Sequence, residues 1–246
     1  MRSTDHSDYQ NVPRPIAAMA KSFLDRAETG EHSHPRGQLL HAIEGVMLAR
    51  TIEGAWLVPP GHALCIPPGV RHNVGMRGAV AMRTIYLRAD AAIALGPSCR
   101  VIPVSALLRE AIVALTEEDI LYDEAGRGGH LAALIVDEIG RAATTRFDLP
   151  MPREKRLVAI CDTMIADPAL ERDLDGWANT AGLSRRALTR GFRAETGLSF
   201  GAWRRRLRTL NALTRIESGE PVSVTAHKVG YKSPSALTAM IRREMA

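Results

Sequence analysis

Residues 174–208 read LDGWANTAGLSRRALTRGFRAETGLSFGAWRRRLR. Leu174, Ala178 and Gly182 stand four apart, and Ser184, Leu188 and Phe192 repeat that spacing immediately afterwards. Spacing of four places side chains on one face of a helix. The run therefore predicts a short helix over 174–180, a tight turn that needs glycine, and a second helix over 184–195. Ser184 is suited to the N-cap and Gly197 falls just past the end. The small Ala178 allows the two helices to cross closely, while Leu188 and Phe192 point into a core. This is the pattern of a helix-turn-helix. On the opposite face of the second helix, Arg186, Thr189, Arg190 and Arg193 line up at i, i+3, i+4 and i+7. Arginines flanking a short polar side chain suit guanine edges and nearby phosphates in a major groove.

The pattern returns in 221–245, PVSVTAHKVGYKSPSALTAMIRREM. Val222, Ala226 and Gly230 match the first triplet, and Ser233, Leu237 and Ile241 match the second, with Pro234 at a first helical position. Short and capped helices are predicted over 222–228 and 233–244. Between the two units, 199–218 reads as one long amphipathic helix with Trp203, Leu207, Leu210 and Leu213 on one face. At about 1.5 Å per residue it spans roughly 30 Å, close to the ~34 Å turn of duplex DNA. Charge follows the same division. Residues 151–246 hold 17 Lys/Arg against 10 Asp/Glu, a surplus of +7, whereas 1–150 hold 15 against 17. A basic half joined to a near-neutral half points to a polyanionic partner for the former.

These two segments, with RAETG at 193–197, VGYKSPSAL at 229–237 and the spacing between the units, resemble the DNA-binding domain of AraC/XylS-type regulators over 153–246. The resemblance implies double-stranded DNA as partner, an operator or promoter, with each second helix entering a major groove. Carried over, the DNA-facing residues are Arg185, Arg186, Thr189, Arg190 and Arg193 in the first unit and Ser235, Thr238 and Arg242 in the second. The second unit departs from the pattern at Ala239, where an arginine is common, and at Ile241, where an aromatic is usual. Gly191 sits inside the first recognition helix at a cost of about 1 kcal/mol relative to alanine. The second unit should read sequence more weakly than the first.

Upstream, short apolar runs at 38–46, 47–52, 54–58, 63–66 and 80–87 alternate with Gly/Pro turns such as Pro59-Pro60-Gly61 and Pro67-Pro68-Gly69. Short strands at close spacing imply a barrel or sandwich. Helices follow near 104–116 and 128–146, and Asp148-Leu149-Pro150-Met151-Pro152 breaks the helical pattern. The predicted organisation is a flexible tail over 1–20, a sensor and dimerisation domain over 21–147, a linker over 148–152 and the DNA-binding domain over 153–246. His32-x-His34 places two imidazoles on one side of a strand, Gln38 follows, and Gly61, Pro67, Gly69 and His72 complete a second cluster. These resemble the two motifs of the cupin barrel. That family implies a divalent metal held by two histidines and a carboxylate from the first motif and a histidine from the second. Here the corresponding residues are His32, His34, Gln38 and His72, with Gln38 in place of the usual glutamate. The same four are the candidate lining of an effector site. His41 and His62 read as structural or pocket-lining.

The expected fold class is α+β: a cupin-like β-barrel with flanking helices, then an all-α domain with two helix-turn-helix units. The expected function is a sequence-specific transcription regulator that answers to a small-molecule effector, contacts RNA polymerase if it activates, and forms a homodimer through its N-terminal half. A cupin-type metal-dependent isomerase or oxygenase fused to a DNA-binding domain is the alternative, although no catalytic acid or base stands beside the histidines. A constitutive architectural DNA binder is a third reading, against which the polar groups of the cupin motif speak. No run approaches the roughly 18 apolar residues of a membrane span, the N-terminus lacks a signal-peptide core, and Cys65, Cys99 and Cys161 are isolated. That combination suits a reducing cytoplasm.

Overall fold

The computed structural model describes residues 3–145, 148–217 and 219–245, apart from the side chain of Met245. The chain forms two compact units. One comprises Met1–Thr51 and Val58–Phe147, the other Ile52–Leu57 and Asp148–Ala246.

The first unit is built on antiparallel strands β1 (Ile16–Phe23), β2 (Gly37–Arg50), β4 (His62–Ile66), β5 (Asn73–Leu87) and β6 (Arg100–Pro103), laid out in the order β1-β5-β2-β4-β6. The separate runs read at 38–46 and 47–52 are one long strand, β2, interrupted by irregular register between Ala42 and Val46. In the β2–β5 ladder Leu39 faces Ile85, while Gln38 faces Tyr86 and Leu40 faces Thr84. Leu39 and Ile85 join a core with Ile112, Leu115, Ile135 and Ile139, which come from α1 (Ala106–Glu117) and α2 (Arg127–Arg141). Gln38, Leu40, Thr84 and Tyr86 point to the opposite face and are buried as well. The sheet thus has a helix-covered outer face and a closed inner face. A barrel interior predicts this, although β1 and β6 remain as ladder edges among the described residues.

The predicted tail over 1–20 is corrected. A 3-10 turn, His6–Tyr9, is capped by Asp5, whose carboxylate accepts from the Ser7 amide, and β1 pairs with β5 from Ile16 onward. Residues 1–2 lie outside the described residues. Tyr9 is buried, and the guanidinium of Arg36 donates to the carbonyls of Gln10 (3.0 Å), Arg14 (3.0 Å) and Val12. A buried cation saturated by carbonyls fixes the chain that supplies them.

β3 (Ala55–Val58), whose first three residues belong to the second unit, pairs with β7 (Asp148–Leu149) through Ala55 opposite Leu149 and Trp56 opposite Asp148. The predicted linker is therefore in part a strand, and 52–57, read as part of the sensor, packs with the C-terminal unit. Pro150 completes the attachment by accepting at 2.7 Å from the indole of Trp203. Six helices follow: α3 (Lys155–Ala166), α4 (Leu174–Thr180), α5 (Arg185–Thr196), α6 (Phe200–Glu217), α7 (Val222–Lys228) and α8 (Pro234–Met245). The caps are those the sequence requires. Ser184 accepts from the Ala187 amide at 3.1 Å, and Gly197 ends α5 at φ 73°, a left-handed conformation that glycine adopts without strain. Phe192, Trp203 and Trp177 are fully buried at the centre of the first helix-turn-helix. Ala226, Val229 and Leu237, with Ala212 of α6, form the core of the second. Nothing in the packing demands glycine at 191, where a Cβ would make only ordinary contact with Leu157 at 3.5 Å.

Candidate functional site

On α5 the residues assigned to DNA divide by exposure. Arg185, Arg186, Arg190 and Arg193 are exposed, and Thr189 is half-buried. The Thr189 hydroxyl donates to the carbonyls of Arg185 (3.0 Å) and Arg186 (3.2 Å). Its methyl and hydroxyl oxygen remain as the surface between the arginines. Arg185 pairs with Asp175 at 3.3 Å. Arg186, Thr189, Arg190 and Arg193 line one open cleft together with Arg172 and Arg204. The sequence pattern missed these last two, because one precedes α4 and the other lies on α6. Both are partly committed: Arg172 lies 4.7 Å over the ring of Trp177 and donates to Thr180 at 2.6 Å, and Arg204 donates to the Leu170 carbonyl at 2.5 Å.

On α8, Ser235 and Arg242 are exposed and Thr238 is half-buried. Ser235 bonds Ser233 at 3.1 Å and Thr238 donates to the Pro234 carbonyl at 2.9 Å. Within the C-terminal unit, Arg208 of α6 bonds the loop before the first helix-turn-helix and the turn of the second. Its guanidinium donates to the carbonyl of Pro168 at 2.9 Å and to that of Gly230, in the turn of the second unit, at 3.2 Å.

In the first unit, His32, His34 and His72 come together, with ligand nitrogens within 4.8 Å of one another. The segment that carries His32 and His34 is irregular rather than the strand expected. Its only ladder contact is a bridge in which His32 and His72 exchange amide bonds of 3.0 and 2.9 Å. The side-chain alternation survives: Ser33 is exposed while the imidazoles on either side turn inward. The Pro67-Pro68-Gly69 turn docks on this segment through the Gly69 amide, which donates to the His34 carbonyl at 2.9 Å, and Gly69 takes φ 76° there.

Hydrogen bonds orient two of the rings. Nδ1 of His32 bonds the Gly30 carbonyl at 2.9 Å and Nδ1 of His72 bonds the Val70 carbonyl at 2.9 Å. Each therefore donates from Nδ1 and leaves Nε2 to face elsewhere. Nε2 of His34 and Nε2 of His72 are buried without a partner. Gln38 reaches the same inner face. Its amide nitrogen donates to Thr84 at 2.9 Å, its buried oxygen has no donor, and Tyr86, opposite it in the ladder, meets His34 ring to ring at 5.2 Å. His41 is buried on the outer face with Leu39, its Nδ1 on the His62 carbonyl at 2.8 Å.

Burial, followed by repulsion from the neighbouring rings, pushes His34 down to about 3. Burial also pushes His72 down to about 4, against the bond to Val70. The unfolded chain takes up protons near the ordinary value of about 6.5, so it binds more protons than the folded protein between that value and the depressed ones. Stability present above about pH 6.5 is thus lost progressively as pH falls towards about 4 and then 3. Urea unfolding of metal-free protein should show a midpoint that falls between about pH 7.5 and about pH 5, less steeply in His34→Asn. Equal slopes for the two proteins would refute this assignment.

Comparison with known proteins matches 24–135 to the AraC-like ligand binding domain and 177–246 to a helix-turn-helix domain. The HTH-type transcriptional regulator NimR of Escherichia coli is 27% identical over 228 residues, covering 93% of this chain and 83% of that protein. The regulator RipA of Corynebacterium glutamicum is 33% identical over 107 residues, covering 43% of this chain and 32% of RipA. Among solved structures, apo ToxT from Vibrio cholerae aligns over 94% of both chains at 8% identity and TM-score 0.40. The DNA-binding domain of AdpA in complex with a target DNA aligns over 36% of this chain and 80% of that one, at 28% identity and TM-score 0.34. No helix among the described residues is long and apolar enough to cross a membrane. With both family models seated on the units that carry the histidine cluster and the paired helix-turn-helix, this chain belongs to the AraC-type transcription regulators, with a ligand-binding domain followed by a DNA-binding domain.

Proposed function

We propose that this regulator binds its operator through Arg185, Arg186, Thr189, Arg190 and Arg193 of α5 and Ser235, Thr238 and Arg242 of α8. An occupant held by His32, His34, His72 and Gln38 sets its affinity. The observation that carries the second statement is the pair of buried, unpartnered Nε2 atoms on His34 and His72, grouped with His32 within 4.8 Å. Desolvated lone pairs without a donor are costly, and one divalent ion would satisfy all three rings. Bonds from Nδ1 to backbone carbonyls, as at His32 and His72, are the usual outer support of metal-bound histidine. A nitrogen-rich set without a carboxylate suits a borderline transition metal rather than magnesium or calcium. Such an ion supplies a Lewis-acid centre on which an anionic or hydroxylated effector can sit, and the Gln38 oxygen accepts from that effector. The protein works in the cytoplasm as a homodimer formed by its N-terminal unit. Leu107 and Leu121, each more than half exposed at either end of the α1 region, are apolar groups that such a contact would cover. As an activator it would also meet RNA polymerase.

A genome-wide map of bound DNA supplies the operator. Anisotropy titration of that operator with metal-stripped protein, with and without zinc, should then show an affinity change of about tenfold or more, a coupling of about 1.4 kcal/mol. His34→Ala should abolish the change. Identical affinity in the two states, with zinc confirmed as bound by elemental analysis, would dismiss the ion as the regulating ligand.

A further inference from the structure

The N-terminal turn carries an imidazole that the cupin-like motifs do not contain. The ring of His6 lies 5.1 Å from that of His32 and 5.4 Å from that of His34. Within the trio the separations are 5.1, 4.4 and 5.0 Å. A tetrahedral ion with metal–nitrogen bonds of about 2.0–2.1 Å would hold imidazole centres about 5 Å apart; the trio meets this, whereas His6 lies outside the group of nitrogens within 4.8 Å of one another and has to draw in when an ion binds. Nδ1 of His6 is buried and has no partner, the same condition as Nε2 of His34 and His72. The placement of His6 owes nothing to the other histidines. Tyr9, three residues on, is buried with its ring 5.9 Å from Tyr86, and Arg36 bonds the carbonyls of Gln10, Val12 and Arg14. These contacts dock the segment and deliver a histidine to the mouth of the cluster.

We propose that His6 supplies the fourth imidazole of the site, in the place that the first cupin-like motif would give to Gln38. The proposal rests on the metal reading above. Gln38 is the weaker candidate because a neutral amide oxygen is a poorer donor than imidazole to a borderline metal; its bond to Thr84 uses the amide nitrogen and leaves that oxygen for the effector. Four neutral imidazoles leave the ion its full charge, which favours an anionic effector or hydroxide as any further ligand.

The test is cobalt(II) titration of tag-free, metal-stripped, full-length protein, read by visible absorption and by competition with a chelator of known affinity. His6→Phe keeps an aromatic ring on His32 and removes both nitrogens. It should weaken cobalt binding by at least about tenfold and reduce the intensity of the cobalt band, while the melting temperature of the metal-free protein stays at the wild-type value. Gln38→Ala should change affinity less than His6→Phe does. Wild-type affinity and spectrum in His6→Phe, with binding lost in His34→Ala, would overturn the role of His6 and leave the three-histidine site standing. The larger loss in Gln38→Ala would also overturn it. Failure of the wild-type protein to bind cobalt or zinc would remove both readings.

Discussion

Operator binding by the full-length protein should weaken roughly a thousandfold when salt is raised from about 50 mM to about 200 mM. The estimate comes from counting cations that are free to act. The C-terminal unit has a large formal surplus, but much of it is spent internally. Arg205 pairs with Glu244 at 3.1 Å, Arg206 with Asp148 at 2.5 Å, and Arg215 and Lys228 with Glu220. Arg208 is committed to carbonyls. Exposed on the two recognition helices are Arg185, Arg186, Arg190 and Arg193 of α5 and Arg242 and Arg243 of α8. The exposed pair of Arg185 with Asp175 is of a kind worth at most about 1 kcal/mol and yields to a phosphate. With Arg190 kept for a base edge, five phosphate contacts at about 0.9 each in the log–log slope give nearly three decades over that salt range. Arg190→Ala should cost about 1–3 kcal/mol and relax preference at one operator position. Its salt slope should stay near wild type if Arg190 reads a base, and fall by about 1 if it holds a phosphate. Thr238→Ala should cost less, since its hydroxyl is already spent on Pro234 and Ala239 offers no neighbouring cation. Binding indifferent to salt, or greater sensitivity of α8 than of α5 to alanine, would contradict this picture.

The C-terminal unit was legible because its signals are local. Ser184 with Gly197 delimits α5, and Leu188 with Phe192 marks the core face, all within one helix. The predicted bounds of α4 and α7 coincide with the observed ones. The N-terminal unit was legible in kind but not in detail. β1, IAAMAKSF, is buried on both faces over its first half, so it lacks the period-two alternation by which a strand is recognised, and three alanines weaken its β signal further. The 148–149 strand is too short to show a period, and its partner lies some ninety positions earlier. His32 and His34 were found because their spacing survives irregular backbone. His6 and Arg36 were not, because their partners are distant in sequence and nothing local marks them. The candidate site was thus readable as His32, His34, Gln38 and His72, and the approach of His6 to it only from the fold.

Trp203→Ala should destabilise the C-terminal unit by about 3–5 kcal/mol, a large part of the roughly 5–15 kcal/mol available to a domain. Trp203 is fully buried near the start of α6. Its ring meets Phe192 of α5 edge-on at 5.7 Å, and its indole N–H donates at 2.7 Å to the Pro150 carbonyl. One side chain therefore joins the recognition helix, the long helix and the segment that follows β7. Alanine leaves a cavity between α5 and α6 and an acceptor at Pro150 without its donor. Trp203→Phe separates the two losses, because it keeps most of the apolar volume and removes only the donor. Its cost should be nearer 1–2 kcal/mol. The chain supplies its own probe. Its three tryptophans are Trp56, Trp177 and Trp203, and all three belong to the second unit. Trp177 and Trp203 lie in the helices α4 and α6 of that unit, so tryptophan fluorescence during urea unfolding follows it chiefly, and Trp177 still reports after residue 203 is changed. The alanine protein should also bind operator more weakly at temperatures where the wild type is fully folded, because α5 loses its backing before the histidine-bearing unit is affected. An unfolding free energy from fluorescence within about 0.5 kcal/mol of wild type would mean that Trp203 fills space which its neighbours can close without cost, and the account of α5 as a helix held from behind by α6 would fail.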